Sequence, residues 1–343
     1  MQDSAVEPLV SILIPAFNKE EFIAETVRSA LAQTWSRKEI IVIDDGSTDS
    51  TVDIARRFGR LGVTVSQQKH QGAAAARNRA FSLCQGDYIQ WLDADDLLAP
   101  DKIAKQLEAR AAGDSSRVLF SSSWGSFKYR HRRAEFTPSD LWCDLAPKEW
   151  LLRKLENNVF MQTATWLVSR VLTEAAGPWN SQLSLDDDGE YFARVAVLSD
   201  GIRFVPDARV FYRILGADRL SYAGWSDEKM ESQLSSMELT IRYLRSLDDG
   251  ERTRRACVTY LQRNLVTFLS VRPDIALRIG QLAGQLGGQL ERPRLSWKYS
   301  WFAHAFGGRS AKYAQVLLPR LKWWMLRSWD KAMLRVEAAR WHI

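Results

Sequence analysis

Residues 86–103 read GDYIQWLDADDLLAPDKI. The apolar run at 87–92 has the length of a strand, and it ends in Asp93, Ala94, Asp95 and Asp96. Pro100 then suits the first turn of a helix reaching Arg110, because proline lacks an N–H that a helix start leaves unpaired anyway. Strand, acidic end and helix together make one step of an alternating α/β chain.

The same step recurs on both sides. VSILIP at 10–15 is a continuous apolar run, as a strand covered on both faces would be, and Ile23, Val27, Ala30 and Leu31 follow at helical spacing within 20–33. A second strand at 39–43 ends in DDGSTD at 44–49, which supplies cap residues for a helix through Phe58. A short strand at 63–66 and an alanine-rich helix at 72–84 lead into 87–92. Downstream, 118–121 reads as a fifth strand and 123–147 as an irregular, aromatic and basic insertion. Residues 163–168 read as a strand, followed by a short helix ending at Gly177-Pro178 and an acidic-headed helix at 187–198. Residues 202–205 and 209–213 read as a strand pair, and beyond Ser226 the signals are helical. The pattern predicts an α/β fold, a mostly parallel Rossmann-like sheet with helices on both faces.

In such sheets ligands bind beyond the carboxyl ends of the strands. Residues 16–18, 44–49 and 93–96 all lie at such ends, so one edge gathers an asparagine and several carboxylates. Asp93 and Asp95 suit a hard cation such as Mg²⁺ or Mn²⁺, which binds one or two carboxylates plus substrate phosphates. The plain alternative is a solvated turn capping the next helix. Asp44 and Asp45 offer acceptors for a base N–H or ribose hydroxyls, or simply a helix cap. Arg77 either turns toward the same crevice or lies on an exposed helix face beside Arg79. Asp186, Asp187 and Asp188 repel one another unless offset, either by a helix N-terminus or by a role that uses them, such as taking a proton from an acceptor hydroxyl.

Composition excludes other classes. The chain has 343 residues, is 46% hydrophobic and carries 14 Trp, which rules out a disordered chain. Three cysteines, Cys84, Cys143 and Cys257, cannot all pair, so a disulfide scaffold is excluded and a reducing compartment expected. No metal-ligand spacing joins the histidines, and no G-x-G-x-x-G, G-x-x-x-x-G-K-[ST] or G-x-S-x-G motif occurs. The first residues, MQDSAVEPLVSILIP, have acids where a signal peptide needs a basic stretch, and no apolar run is long enough to span a bilayer. A cytoplasmic location is expected.

With these motifs in order, the chain resembles the family 2 glycosyltransferases, which have a GT-A fold. VSILIPAFN at 10–18, IIVIDDGSTDST at 40–51, QGAAAARNRA at 71–80, GDYIQWLDADDLLAPDKI at 86–103 and GPWNSQLSLDDDGEYFARV at 177–195 carry the resemblance. It implies that Pro15, Ala16 and Asn18 contact the nucleotide, that Asp45 reads the base with Asp44 alongside, and that Arg77 flanks the same pocket. It further implies that Asp93 approaches the ribose or the metal, and that Asp95 binds the Mn²⁺ or Mg²⁺ bridging the donor's diphosphate. Asp188 takes the place of the family's catalytic base. The acid before it is Asp187 rather than the usual Glu, and Asp186 precedes both, so Asp187 competes for the role. The family's late His after Tyr-Arg is absent behind Tyr212-Arg213, and Arg213 and Arg219 are the candidates to replace it.

The implied function is inverting, metal-dependent transfer from a nucleotide sugar, foremost a UDP-sugar, to a saccharide or lipid-linked acceptor in cell-surface polysaccharide assembly. A nucleotidyltransferase would need a phosphate loop after the first strand, and PAFNKEE is not one. An inactive nucleotide- or glycan-binding module is the alternative outside enzymes. The expected division is a catalytic domain at 1–225 and a helical region at 226–343.

The formal charge of +6 belongs to the end of the chain. Residues 291–343 hold 11 Lys/Arg against 3 Asp/Glu and six Trp, leaving 36 against 38 in the first 290. Treated as a helix, 319–341 places Leu321, Met325, Leu326, Trp329, Ala332, Met333 and Val336 within about 140°, with Arg320, Arg327, Lys331 and Arg335 opposite. Such a helix suits an anionic membrane face, which puts the protein peripherally on the inner side of the cell membrane. The other reading packs this helix on the catalytic domain with its basic face in water. Nucleic acid is not an expected partner.

Overall fold

A computed structural model describes residues 7–110, 114–214, 226–269, 271–291 and 328–334. Its first half follows the alternation: β1 (Val10–Ala16), α1 (Ile23–Leu31), β2 (Lys38–Asp44), α2 (Thr51–Arg56), β3 (Val63–Gln67), α3 (Ala73–Leu83), β4 (Tyr88–Trp91), a two-residue β5 (Leu97–Leu98), α4 (Lys102–Glu108) and β6 (Val118–Phe127). The remainder comprises β7 (Glu135–Phe136), α5 (Pro147–Asn157), β8 (Val168–Ser169), α6 (Arg170–Ala176), α7 (Asp187–Leu198), β9 (Gly201–Arg213), α8 (Asp227–Leu247), α9 (Glu251–Phe268) and α10 (Pro273–Gln285).

The main sheet runs β3-β2-β1-β4-β8, with the first four strands parallel and β8 antiparallel on the edge. All seven β1 residues are buried, as the unbroken apolar run requires of a strand covered on both faces. The register pairs Ala16 with Asp44 and Leu13 with Trp91. The polar ends of β1, β2 and β4 therefore open on one edge.

A second sheet, β5-β9-β6-β7, departs from the sequence reading. The supposed strand pair is one 13-residue strand, β9, lying parallel to β6. Pro206 interrupts neither, because the pairing shifts register between Ser122 and Trp124, and such a bulge accommodates a residue without an N–H. The 123–147 insertion is more regular than expected, since β6 continues to Phe127 and β7 pairs back on it. The strand expected at 163–168 is instead a 3₁₀ turn, Thr163–Thr165, followed by β8. Gln162 explains the turn: its side chain accepts from the Ala164 N–H at 2.6 Å, and its carbonyl accepts from the Thr165 hydroxyl at 2.6 Å.

Helix α5, which the sequence reading passed over, begins with Pro147 and buries Trp150, Leu151, Leu152 and Leu155. These join a core running from Leu13, Ile89 and Trp91 through Trp166 and Tyr191 to Met230, Leu234, Met237, Ile241 and Leu244 of α8. Helices α9 and α10 add Tyr260, Leu261, Ile275 and Ile279 to the same cluster. Cys84, Cys143 and Cys257 are free thiols. No helix among the described residues is long and apolar enough to cross a membrane.

Candidate active site

The edge formed by β1, β2 and β4 is built from backbone turns that aim side chains back at the sheet. After β1, Asn18 adopts a left-handed conformation (φ 51°), and its Oδ1 accepts from the Thr48 N–H at 2.9 Å. The Ser47 hydroxyl accepts from the Asn18 N–H at 2.9 Å. Asn18 thereby clips the end of β1 to the turn after β2. Pro15 and Ala16 are buried beneath this clip. Gly46 is needed in that turn, since its φ is +75° and an added Cβ would lie 2.9 Å from the His70 backbone nitrogen.

Asp45 is 2% exposed and its carboxylate is fully engaged inside the protein. It accepts from Gln68 Nε2 (2.7 Å), the Gln71 N–H (2.9 Å) and the Gly72 N–H (2.8 Å), and lies 2.9 Å from His70 Nδ1. The ring of His70 stacks on Phe17 at 4.2 Å. Asp44 accepts from Gln67 Nε2 at 3.0 Å through one oxygen, while its buried Oδ1 has no partner among the described residues.

Arg77 joins the two acidic halves of the site. It is 5% exposed, so the exposed-face alternative does not hold. Helix α3 delivers its guanidinium between Asp93, 2.8 Å from Nη2, and Asp187, 2.7 Å from Nη1. It also lies over the Trp179 ring at 4.3 Å, and that ring stacks on Tyr191 at 4.0 Å. Asn78 exchanges two hydrogen bonds with the Trp179 backbone, at 2.9 and 2.8 Å, locking α3 to the segment that leads into α7.

At the head of α7, Asp186 is left-handed (φ 59°) and the next two carboxylates part company. Asp187 meets Arg77. Asp188 accepts from the Thr163 hydroxyl at 3.2 Å and from the Gly189 N–H at 2.9 Å. Burial pushes the Asp187 carboxyl up to about 6, opposed by Arg77 and reinforced by Asp188. Burial likewise raises Asp186 to about 6, opposed by Lys154. Carboxyls raised in this way favour the folded state below the unfolded value of 3.8, and that contribution is lost as pH rises through about 6. The acidic turn is thus held at neutral pH against its own preference.

Sequence reasoning missed Lys19, Thr163 and Trp179. Lys19 Nζ lies 2.7 Å from Asp95 Oδ2, on the carboxylate expected to hold a cation. Its position directly after Asn18 was the available signal. Arg213 is a strut: 1% exposed, it donates to Glu25 Oε2, to the Asp95 carbonyl and to the Lys128 carbonyl, between the Phe22 and Phe127 rings. Arg219 lies outside the described residues.

Among the described residues no cluster of three or more His, Cys, Asp or Glu is placed to hold a metal. Asp93 and Asp95 carry the hard oxygen donors that Mg²⁺ and Mn²⁺ take. Each is matched by a cation of the protein, Arg77 and Lys19 respectively.

Of the expected tail helix only 328–334 falls within the described residues, and it is helical. It meets the domain through polar groups: Asp330 accepts from the Tyr129 N–H (3.0 Å) and Arg130 Nε (2.7 Å), and Lys331 pairs with Glu21 at 2.5 Å. Trp329 is 59% exposed, with the Arg130 guanidinium over its ring at 5.3 Å, and Ala332 is exposed. The segment therefore packs on the domain with a basic residue inward, the reverse of the face expected.

Residues 11–174 match the family model described as Glycosyl transferase family 2. The chain is 40% identical over 116 residues to WfaP of Escherichia coli, a UDP-Glc:alpha-D-GlcNAc-diphosphoundecaprenol beta-1,3-glucosyltransferase, covering 34% of this chain and 45% of that protein. Matches to two further bacterial glycosyltransferases cover 42% and 58% of their length, so the chain spans about half of such relatives. The fold is similar to S. aureus TarS 1-349 in complex with UDP-GlcNAc, with a TM-score of 0.63 and 19% identity over 81% of this chain and 80% of that one. It is also similar to the mannosyltransferase PcManGT of Pyrobaculum calidifontis in complex with GDP-Man and Mn²⁺, with a TM-score of 0.52 and 18% identity over 95% and 89%.

Replacing Arg77 with Met leaves Asp93 and Asp187 without their shared countercharge. Unfolding in urea should show a loss of about 3–5 kcal/mol, the range for removing one partner of a buried ion pair.

Proposed function

The chain carries a glycosyltransferase domain of family 2 over residues 11–174, on a GT-A fold, and from that premise we propose that it transfers a sugar from a UDP-sugar to a hydroxyl of a saccharide or lipid-linked acceptor. The observation that carries this reading is the Arg77 bridge, which draws the acidic turn of α7 against the strand-end carboxylate Asp93. A proton acceptor and a phosphate-side acidic pair then share one site. The UDP-sugar in the TarS complex and the UDP-Glc and diphosphoundecaprenol in WfaP's name support the choice of donor and acceptor class. They also favour a place in cell-surface polysaccharide assembly.

Asp188 is assigned as the base, because Asp187 is committed to Arg77 while, among the described residues, Asp188 bonds a hydroxyl and one N–H. Asp188 takes the proton of the acceptor hydroxyl as its oxygen bonds to the anomeric carbon. The bond from that carbon to the diphosphate breaks on the opposite face, so the configuration inverts. Pro15, Ala16, Asn18, Asp44 and Asp45 shape the nucleotide end, with Asp45 acting through the 68–72 loop that it holds. Asp95 and Asp93 are assigned to a Mn²⁺ or Mg²⁺ ion, which when bound supplies positive charge to the leaving diphosphate.

Asp188→Asn should lower transfer by about 10²–10⁴-fold while calorimetry finds UDP binding retained. Asp187→Asn should lose less. If the Asp187 variant were the inactive one and the Asp188 variant active, the base assignment would move. For the metal, Lys19→Gln frees Asp95 of its ammonium partner, so Mn²⁺ affinity measured without donor should rise. Unchanged or weaker Mn²⁺ binding would remove Asp95 from the metal site.

We also assign the basic, Trp-rich stretch at 291–343 to an anionic membrane face, with the protein held peripherally on the cytoplasmic side. Support comes from its charge and from Trp329, which is more than half exposed. The full chain should float with vesicles of anionic phospholipid at low salt, and a 1–290 truncation should not. Equal flotation of the two forms would refute this assignment.

A further inference from the structure

The family match stops at residue 174, whereas the acidic turn lies at 186–188 and takes its supporting contacts from α8. The inner face of α8 is apolar at Met230, Leu234, Met237, Ile241 and Leu244, yet Ser232 and Ser236 stand on it one turn apart, both buried. Thr240 is buried on this helix too, and its hydroxyl has no partner among the described residues, so it is what the two serines touch that distinguishes them.

The partners are all in the turn. Ser232 Oγ accepts from the N–H groups of Ser184 (3.0 Å) and Leu185 (2.9 Å) and donates to the Leu185 carbonyl (2.8 Å). Ser236 Oγ donates toward Asp186, 2.6 Å from Oδ2 and 3.1 Å from the carbonyl oxygen. Two turns on, the Tyr243 hydroxyl donates to Glu190 Oε1 at 2.6 Å. These contacts fall on both sides of Asp187 and Asp188 and leave those two free to face Arg77 and Thr163. Asp186, which Ser236 contacts at both its carboxylate and its carbonyl, is the left-handed residue, a conformation that Asp tolerates better than most side chains and that these contacts fix here.

We propose that Ser232 and Ser236 are positioning residues for the transfer reaction. By holding Asp186 left-handed, they decide that Asp187 turns to Arg77 and that Asp188 is presented to the acceptor. The inference rests on the reading of Asp188 as the base. It makes α8 a part of the active-site machinery rather than an appendage.

The test compares the full chain with Ser232→Ala, Ser236→Ala and, on the exposed side of α8, Ser246→Ala. Three quantities are read: amide hydrogen exchange across 184–190, UDP affinity with Mn²⁺, and the rate of UDP-GlcNAc cleavage. In Ser236→Ala, exchange across the turn should speed up about tenfold by local opening. Its kcat should fall about tenfold, with KM for the donor and UDP affinity held within about twofold. Ser232→Ala should act in the same direction and Ser246→Ala should change nothing. A Ser236→Ala enzyme with unchanged exchange and kcat overturns the proposal, as does one that loses UDP affinity in step with kcat. If the unaltered protein does not cleave UDP-GlcNAc, the exchange data alone decide whether α8 holds the turn, separately from the transferase reading.

Discussion

Asp93 ends one strand of the sheet and Asp187 opens a helix almost a hundred residues later, and what keeps these two like charges side by side is the guanidinium of Arg77 between them. Its position is over-determined. The ring of Trp179 lies beneath it, Asn78 ties α3 to the Trp179 backbone, and the Tyr191 ring stacks on Trp179 in turn. A buried cation flanked by two carboxylates meets its desolvation cost only when both partners hold good geometry. The halves of the site therefore cannot drift apart without exposing an unpaired charge.

The strand ends were legible in the sequence because each couples a period to a composition. A run such as VSILIP has the length and β-branched composition of a buried strand, and the polar residues that break it mark the edge where ligands bind. The second sheet was not legible, because its features depend on partners remote in sequence. Pro206 looks like a turn until β6 supplies the register shift that accommodates it. The 3₁₀ turn at Thr163–Thr165 hides in an apolar stretch because one side chain, Gln162, decides it.

Within the site the same division holds. Asp45, Asp93 and Asp187 were picked out as carboxylates at strand or helix ends, and Arg77 as a basic residue near them. What each one touches could not be read. Asp45 spends its oxygens on the 68–72 loop, and Lys19 sits on Asp95, through contacts that span 23 to 76 residues of chain. The serines of α8 carried no signal at all, since a Ser on a mostly apolar helix face is also what a loosely packed surface shows.

The continuity of the core from β1 to α10 bears on how such a protein could be re-engineered. Donor and acceptor preferences invite grafting between relatives, with the cut placed where one recognisable module ends. Here the module recognisable by family ends at 174, but the residues stabilising the acidic turn lie at 232 and 236. A graft joined between 188 and 232 would set the acidic turn against a foreign helix, and one joined between 174 and 186 would set it against a foreign Arg77 and Thr163. The smallest exchangeable unit therefore runs at least through α8, since the turn and the helix that contacts it belong together.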